Sequence, residues 1–291
     1  MTLFKAGDRF YKGNLHMHTT LSDGVRTPEA ACAIYKKNGY DFVAITDHRV
    51  IGQQCQKQGL LVLSGGEYDF SVPNQQLHLV AVMPDNSLAG TQIAREDPNA
   101  FIRHINAHDG LVILAHPTWS LNTIEFIRSL EGLAAAEVFN SVSDVPWNGA
   151  RADSGHILDL LYTSGRLLPQ VAADDTHWNE GEQCKSYVMV QAHSLTPQAI
   201  LKAMREGRFY ASQGPEIKTV EILEDRVIID TSPVAQVVFY SNLAWVKDRC
   251  RQGEGIVHSD YVFQRESGER FVRCEITDSH GRRAWLSPIA L

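Results

Sequence analysis

From Tyr40 onward the chain repeats one pattern: a short, almost wholly apolar run, an abrupt polar stop, and then in most cases a segment of helical character. The runs cover 40–46, 60–66, 77–82, 111–115, 134–140 and 167–173. Strand-length runs without alternation are what a parallel sheet covered on both faces requires, and the helical segments supply its crossovers. Thr27-Pro28-Glu29 opens a helix that stops at Asn38-Gly39, and a second around 98–108 stops at Asp109-Gly110. Others are expected near 122–131 and 152–164, and over 196–206, where Thr196-Pro197 opens and Gly207 closes. With a first strand over 13–18, seven strand ends result. Seven fit a closed barrel better than an open sheet, and 186–191 offers an eighth element.

The pattern changes at Gly214-Pro215. Short strands are expected at 218–223, 226–230, 235–240, 270–277 and 283–286, with turn residues and no helix between them. The expected fold class is therefore α/β, a distorted (β/α)7 TIM-like barrel over 1–213, followed by a small antiparallel β-sandwich domain over 214–291. A chain of 291 residues suits one large and one small domain. A net charge of -7 argues against a broad nucleic-acid footprint. Five widely spaced cysteines without a Cys-x-x-Cys pair argue against a disulfide framework or a thiolate zinc site. Residues 1–8 lack the apolar run of a signal peptide and no stretch reaches membrane-spanning length, so the expected location is the cytoplasm.

What the polar stops contain is more specific. In Gly13-Asn14-Leu15-His16-Met17-His18, strand alternation turns both imidazoles to one face, and Asp23 follows in a turn-prone loop. Later runs deliver His48, Glu67, His116, Asp175 and His177 near their ends, while His78 lies inside its own run. A histidine pair alone is as readily a surface feature, and His78 alone a hydrogen-bonded core residue. Jointly, His16, His18, Asp23, His48, Glu67, His78, His116, Asp175 and His177 are too many ligands for one ion. Imidazole and carboxylate without thiolate point to two or three divalent ions of zinc, manganese or iron. His104, His108, His156 and His193 fall in helices or loops, and His258 and His280 read as surface residues without partners.

The ordered set His16-x-His18, Ser22-Asp23-Gly24, Thr46-Asp47-His48, Gly66-Glu67, His116-Pro117 and Asp175-x-His177 resembles the motifs of the polymerase and histidinol phosphatase (PHP) family of metal-dependent phosphoesterases. The resemblance covers the first two-thirds of the chain. Arg208-Phe209-Tyr210-Ala211-Ser212 and the β region after it resemble a branch described partly as carbamate or amide hydrolases. The resemblance implies a distorted seven-stranded barrel and an apportionment of ligands. One ion would take His16, His18, Glu67 and Asp175. A second would share Glu67 and add His78 and His116, and a third would take Asp23, His48 and His177. Asp23 stands where some family members carry a histidine.

Three divalent ions against three carboxylates leave a pocket of about +3, which attracts anions despite the acidic chain. The implied reaction is cleavage of a small phosphate ester by hydroxide, from a water whose pKa the ions lower toward ~7. Arg49 is the favoured side chain for gripping phosphate. Asp47 and Asp174 neighbour the expected ligands and are placed to orient them. Asn140, Trp178 and Lys185 lie near strand ends without an assigned role, and Glu137 reads equally as a structural hydrogen-bonding residue. No Ser-His-Asp, Cys-His or Gly-x-x-x-x-Gly-Lys arrangement is present. Two alternatives stand beside the phosphoesterase: metal-dependent attack on an ester, amide or carbamate carbonyl, and a non-catalytic metal- or ligand-binding module. Specificity is expected from the 142–153 loop and from the β domain covering the barrel mouth.

Overall fold

The computed structural model describes residues 2–4 and 9–291; residue 1 and residues 5–8 of the expected leaderless N-terminus lie outside the described residues. Strands β1 (Thr2–Phe4) and β2 (Phe10–Asn14) precede helix α1 (Pro28–Lys37) and β3 (Phe42–Ala44). Next come β4 (Cys55–Lys57), β5 (Leu60–Val72), β6 (Gln75–Met83), α2 (Pro98–Ala107) and β7 (Leu111–Leu114). They are followed by α3 (Ile124–Ser129), β8 (Ala135–Asn140), α4 (Gly155–Thr163), β9 (Gln170–Ala173), β10 (Tyr187–Gln191) and α5 (Pro197–Arg205). Proline at the first helical turn, with a capping side chain before it, starts three of these helices. The Thr27, Asp97 and Thr196 side chains accept from the N–H groups of Ala30, Asn99 and Ala199. The cap satisfies an orphan donor and the proline presets φ.

Strands β2, β3 and β5 are parallel neighbours, as are β7, β8 and β9. Between these blocks the all-parallel expectation fails: β6 runs antiparallel to both β5 and β7. The cause is local. Only Pro73-Asn74 separates β5 from β6, Asn74 takes a positive φ of 63°, and so short a link closes a hairpin, whereas a parallel crossover needs a dozen residues. Strand β5 consequently runs on to Val72, and Glu67 sits in its interior rather than at its end.

The path β2-β3-β5-β6-β7-β8-β9 comes back to where it began. The N–H groups of His18 and Asp175 donate to the carbonyls of Thr176 (3.0 Å) and His16 (2.8 Å), so the chain beyond β9 lies beside the chain beyond β2. Close packing at β2 depends on Gly13, because a Cβ there would stand 2.1 Å from the Phe42 ring. One apolar cluster lies among Leu15, Leu61, Val80, Ile113, Val171, Val190, Ile200 and Met204. A second unites Tyr68, Leu79, Phe101, Ile105 and Leu158 beneath α2 and α4.

On its other side β2 pairs antiparallel with β10, so the eighth element joins in the reverse sense to that of a (β/α) repeat. Strand β10 pairs in turn with β11 (Phe209–Ser212), which the sequence pattern does not single out. The C-terminal strands are β12 (Ile217–Ile222), β13 (Arg226–Ser241), β14 (Cys250–Val262), β15 (Phe271–Thr277) and β16 (Arg283–Ala290), antiparallel as expected. The expected strands at 226–230 and 235–240 are two parts of β13, whose register shifts between Asp230 and Gln236. Strand β14 escapes notice because Cys250–Val262 is polar, carries Gly253 and Gly255, and pairs with β13 alone. Ser212 pairs with Ala284, so hydrogen bonding is continuous from β11 into this region. Its own core holds Val220, Ile229, Val237, Phe239, Ile276 and Leu286. No described helix is long and apolar enough to cross a membrane.

Candidate metal centre

His16 and His18 follow β2 in extended chain. Leu15 and Met17 alternate with them into separate apolar clusters, so the imidazoles share the remaining side. Met17 is held at both backbone polar atoms, its N–H on Thr46 Oγ1 (3.0 Å) and its carbonyl accepting from the Thr46 N–H (2.9 Å). Glu67 reaches the same point from β5. A Cβ on the preceding Gly66 would lie 2.1 Å from the Val50 carbonyl, so glycine lets the 47–52 loop close over the strand.

The structure brings all nine sequence-selected side chains together in three overlapping groups. Their ligand atoms lie within 4.8 Å of one another: His16, His18, Glu67 and Asp175; Glu67, His78 and His116; and His18, Asp23, His48 and His177. Membership of the third group is wider than the motifs imply, because His18 faces both ways. Its Nε2 lies 3.0 Å from Asp175 Oδ1 and 3.2 Å from Glu67 Oε2, while its Nδ1 lies 3.5 Å from Asp23 Oδ1. Glu67 is the hub: Oε1 is 2.9 Å from His78 and 3.3 Å from His16, and Oε2 is 3.2 Å from His48.

The donor set fits cations. His16 Nε2 and His18 Nε2 face each other at 3.3 Å, and His16 Nδ1 is already engaged by Glu137 at 2.7 Å. In neutral rings the inward His16 nitrogen is a lone pair, open to a cation or to a proton donor. Asp175 Oδ1 and His48 Nδ1 are buried and make no well-aligned hydrogen bond, although His18 Nε2 lies 3.0 Å from the first and Glu67 Oε2 3.2 Å from the second. Electrostatics of the bare side chains tell the same story. Burial lowers the His16 and His18 imidazoles, but Asp175 and Glu67 more than offset it, holding His16 well above its ordinary value and raising His18 to about 9. Burial raises Glu67 and Asp175, yet the surrounding imidazoles drive both well below the usual carboxylate range. The carboxylates thus stay anionic and the imidazoles bind protons where cations are lacking.

Polar partners behind the clustered side chains set their orientation. Glu137 accepts from His16 Nδ1 with one oxygen; with the other it accepts from the His116 N–H (2.9 Å) and Asn140 Nδ2 (2.8 Å). Asn140 also donates to Asp175 Oδ2 (3.1 Å). His177 Nδ1 donates to the Asp175 carbonyl (2.9 Å), leaving Nε2 toward Asp23. Ser120 Oγ lies 2.9 Å from His116 Nδ1, and Trp178 Nε1 donates to the His18 carbonyl. Such partners fix ring orientation and tautomer. Two members of the cluster, His116 (φ 29°) and Asp175 (φ 51°), adopt backbone conformations that favour glycine, as does Trp178 (φ 72°). Strain of this kind persists where surrounding contacts over-determine it.

Asp47 and Asp174 act one step further out than the sequence reading places them. Asp47 accepts from the Thr19 N–H, Thr19 Oγ1 and Ser22 Oγ, each at 2.7 Å, and so pins the loop that carries Asp23. Asp174 accepts from Tyr35 Oη and from the N–H groups of Cys184, Lys185 and Ser186. Burial pushes it up to about 6 against these bonds. Arg49 requires a correction. Its guanidinium is exposed and bound bidentately to Asp69 (2.7 and 2.9 Å), and it does not line the cavity over the ligands. Lys185 borders a separate cavity with Arg282 and Arg283. His258 is not partnerless: its Nδ1 lies 2.7 Å from Asp230 Oδ1.

Asp23, His48, Glu67, His78, His116, Asp175 and His177 floor a cavity of about 520 Å³ walled by Trp119 and by the 142–148 segment. Among the described lining residues none follows Glu180, so the C-terminal strands do not contribute to the cavity wall. Sequence reasoning missed Ser120, Trp119 and Glu182. Glu182 accepts from Thr176 Oγ1 and from the N–H groups of His177 and Trp178 (2.9, 2.8 and 2.6 Å), and holds the His177 loop in place. Only Ser120, four residues after His116 across a Pro117 turn, carried a usable signal.

Fold and site together define a mixed α/β protein with a cluster of imidazoles and carboxylates of the kind that binds divalent metal. The chain is similar over nearly its whole length to a two-domain protein from Bacteroides vulgatus described as containing a predicted PHP-like metal-dependent phosphoesterase. The TM-score is 0.56 at 16% identity, covering 99% of this chain and 97% of that one. The resemblance to the PHP family is thereby borne out in the fold. Weaker likenesses are to the lesion-specific endonuclease EndoQ of Pyrococcus furiosus and to an amidohydrolase from Chromobacterium violaceum. The endonuclease matches with TM-score 0.48 and 15% identity over 68% of this chain and 56% of that one; the amidohydrolase matches with 0.45 and 14% over 68% and 96%. No protein-family model matches the chain, and no curated protein does.

Proposed function

We propose that the protein is a metal-dependent hydrolase of small phosphate esters. Two or three divalent ions of zinc, manganese or iron would be held by His16, His18, Asp23, His48, Glu67, His78, His116, Asp175 and His177. The carrying observation is the convergence of those nine side chains in three overlapping groups, seven of them (Asp23, His48, Glu67, His78, His116, Asp175 and His177) lining one cavity. When bound, the ions supply Lewis acidity and an activated water at neutral pH. This chain's residues hold the geometry: Glu137 and the Asp175 carbonyl set the His16 and His177 tautomers, Asn140 steadies Asp175, and Asp47 fixes the loop of Asp23. The proposal includes a ring-closed barrel over 1–213 and a β-sandwich domain over 214–291. The return of Asp175 onto His16 and the separate C-terminal core support this division. The five unpaired cysteines support a reducing, cytoplasmic setting.

A carbonyl electrophile, in an ester, amide or carbamate, is the second reading, and one observation favours it. No lysine or arginine is among the described residues lining the cavity, whereas Asp23, Glu67, Asp175 and Glu180 are, so its charge depends on occupancy: about +2 with three ions and about 0 with two. Metal analysis of protein purified without chelator, followed by parallel assays on phosphate monoesters, diesters and aryl carbamates, decides between them. The expected result is two or three bound ions per chain and metal-dependent monoester turnover, abolished in His16→Ala and Asp175→Ala. Metal-free protein that metal does not activate sinks the hydrolase; turnover confined to carbamates sinks the phosphoesterase.

A further inference from the structure

The wall of the cavity differs in chemistry from its floor. Trp119 stands over the ligands, its ring 4.9 Å from that of His116 and 6.2 Å from that of His78. Val142 and Val145 continue the apolar surface, and Trp147 completes it at the rim, 73% exposed. An indole so exposed is costly unless something covers it, and large exposed aromatics at a cavity mouth mark binding surfaces. The segment presenting it is built. Ser143 bonds Asn140 Oδ1 through both its N–H and its hydroxyl, and Asn148 Nδ2 donates to the Ser143 carbonyl (3.2 Å). The turn then reverses at Gly149, whose φ of 58° and ψ of -128° only glycine adopts readily. The only charged side chains among the described lining residues, histidines aside, are the carboxylates of Asp23, Glu67, Asp175 and Glu180. An anionic group can therefore be matched at the floor by bound ions. A second one higher up meets indoles, valines and Glu180.

Resting on the phosphoesterase reading, we propose that the substrate is a monophosphate whose leaving group is an apolar, ring-bearing alcohol that packs against the apolar wall of Trp119, Val142, Val145 and Trp147, and that Trp147 determines this specificity. Sugar bisphosphates and other substrates with two anionic ends are excluded by the uncompensated wall. The bond cleaved is the phosphoester P–O bond; water supplies the oxygen on phosphorus, and the alcohol leaves with a proton.

The test uses metal-reconstituted, full-length protein. Initial rates are measured on 2-naphthyl phosphate, glycerol 2-phosphate and fructose 1,6-bisphosphate for the native chain and Trp147→Ala. Tryptophan fluorescence separately follows binding of the non-hydrolysable 2-naphthylmethylphosphonate. The native chain is expected to favour naphthyl phosphate by at least about tenfold in kcat/KM, with quenching by the phosphonate. In Trp147→Ala the preference should collapse about tenfold through KM, and phosphonate affinity should fall by a similar factor, with unchanged circular dichroism. A bisphosphate preference, or a preference unaltered in Trp147→Ala, overturns the proposal. If no phosphate ester turns over but 2-naphthyl acetate outruns ethyl acetate and Trp147→Ala removes the difference, the phosphoester reading fails and the apolar leaving-group site stands. Absence of all turnover and of phosphonate binding overturns both.

Discussion

Glu137→Gln removes a charge and changes almost no volume, so its consequence follows from hydrogen-bond directions alone. The native carboxylate accepts three bonds, from His16 Nδ1, the His116 N–H and Asn140 Nδ2, at 2.7, 2.9 and 2.8 Å. An amide offers one acceptor oxygen and one donor nitrogen. With its nitrogen toward His16, Nδ1 must become an acceptor; the ring proton moves to Nε2, and the atom facing Glu67 and Asp175 can no longer ligate. With its nitrogen toward His116 and Asn140, two donors confront a third, leaving buried groups unpaired at about 1–3 kcal/mol each. Either orientation degrades the His16 group. Loss of such an orienting partner typically weakens metal binding 10–100-fold, or about 1.4–2.8 kcal/mol. Competition titration against a chromophoric chelator reads this directly, and circular dichroism guards against unfolding. Native metal affinity in a folded Glu137→Gln protein would show that Glu137 only fills space and that the tautomer argument is wrong.

Chelation should destabilise the fold: at free metal a thousandfold above Kd the bound ion contributes about 4 kcal/mol, so stripping it should lower Tm by roughly 10 °C in a scanning melt; an unchanged Tm would mean that the cluster is empty in the working protein. Asp47→Ala deletes the acceptor of three bonds inside the 19–22 loop, and urea unfolding should show a loss of about 2–4 kcal/mol together with weakened binding at the Asp23 group. Arg49→Ala, by contrast, removes an exposed pair, so stability should change by no more than ~1 kcal/mol and phosphate-ester kcat/KM by about twofold or less. A hundredfold loss would return the guanidinium to the substrate. Because the Arg49 hydrogen bond holds Asp69 down to about 2, that pair stabilises above the unfolded carboxylate value and is lost as pH falls toward 2. Acid-unfolding curves of Arg49→Ala should show this limb reduced, with Arg95 still 2.8 Å from Asp69, and otherwise overlay the native ones.

The side chains that gather in the cluster were legible in the sequence and their supports were not, and the difference is physical. A ligand announces itself by residue type at the end of an apolar run; the alternation of Leu15 and Met17 with His16 and His18 even gave the shared face. What a run cannot show is its partner strand. Glu67 was expected at a strand end because the apolar residues stop there, yet the Pro73-Asn74 hairpin carries β5 five residues further and places Glu67 against Val80. That antiparallel register also sets Asp69 opposite His78, and Asp69 is what draws Arg49 away from the cavity. The misassigned arginine and the misjudged sheet are therefore one error with one cause, a two-residue turn. Glu137 and Asn140 were undecidable for a related reason. Along β8 they are merely polar residues in an apolar strand. Their function arises only where the parallel register Asn140↔Ala173 sets β8 beside the strand leading to Asp175, and where the chain beyond β9 returns to His16. Closure of that path turns six scattered histidines and three carboxylates into one site, and it rests on the short backbone contacts at Asp175 and His18. Changes that loosen the 174–177 turn should thus cost metal binding before they cost the fold.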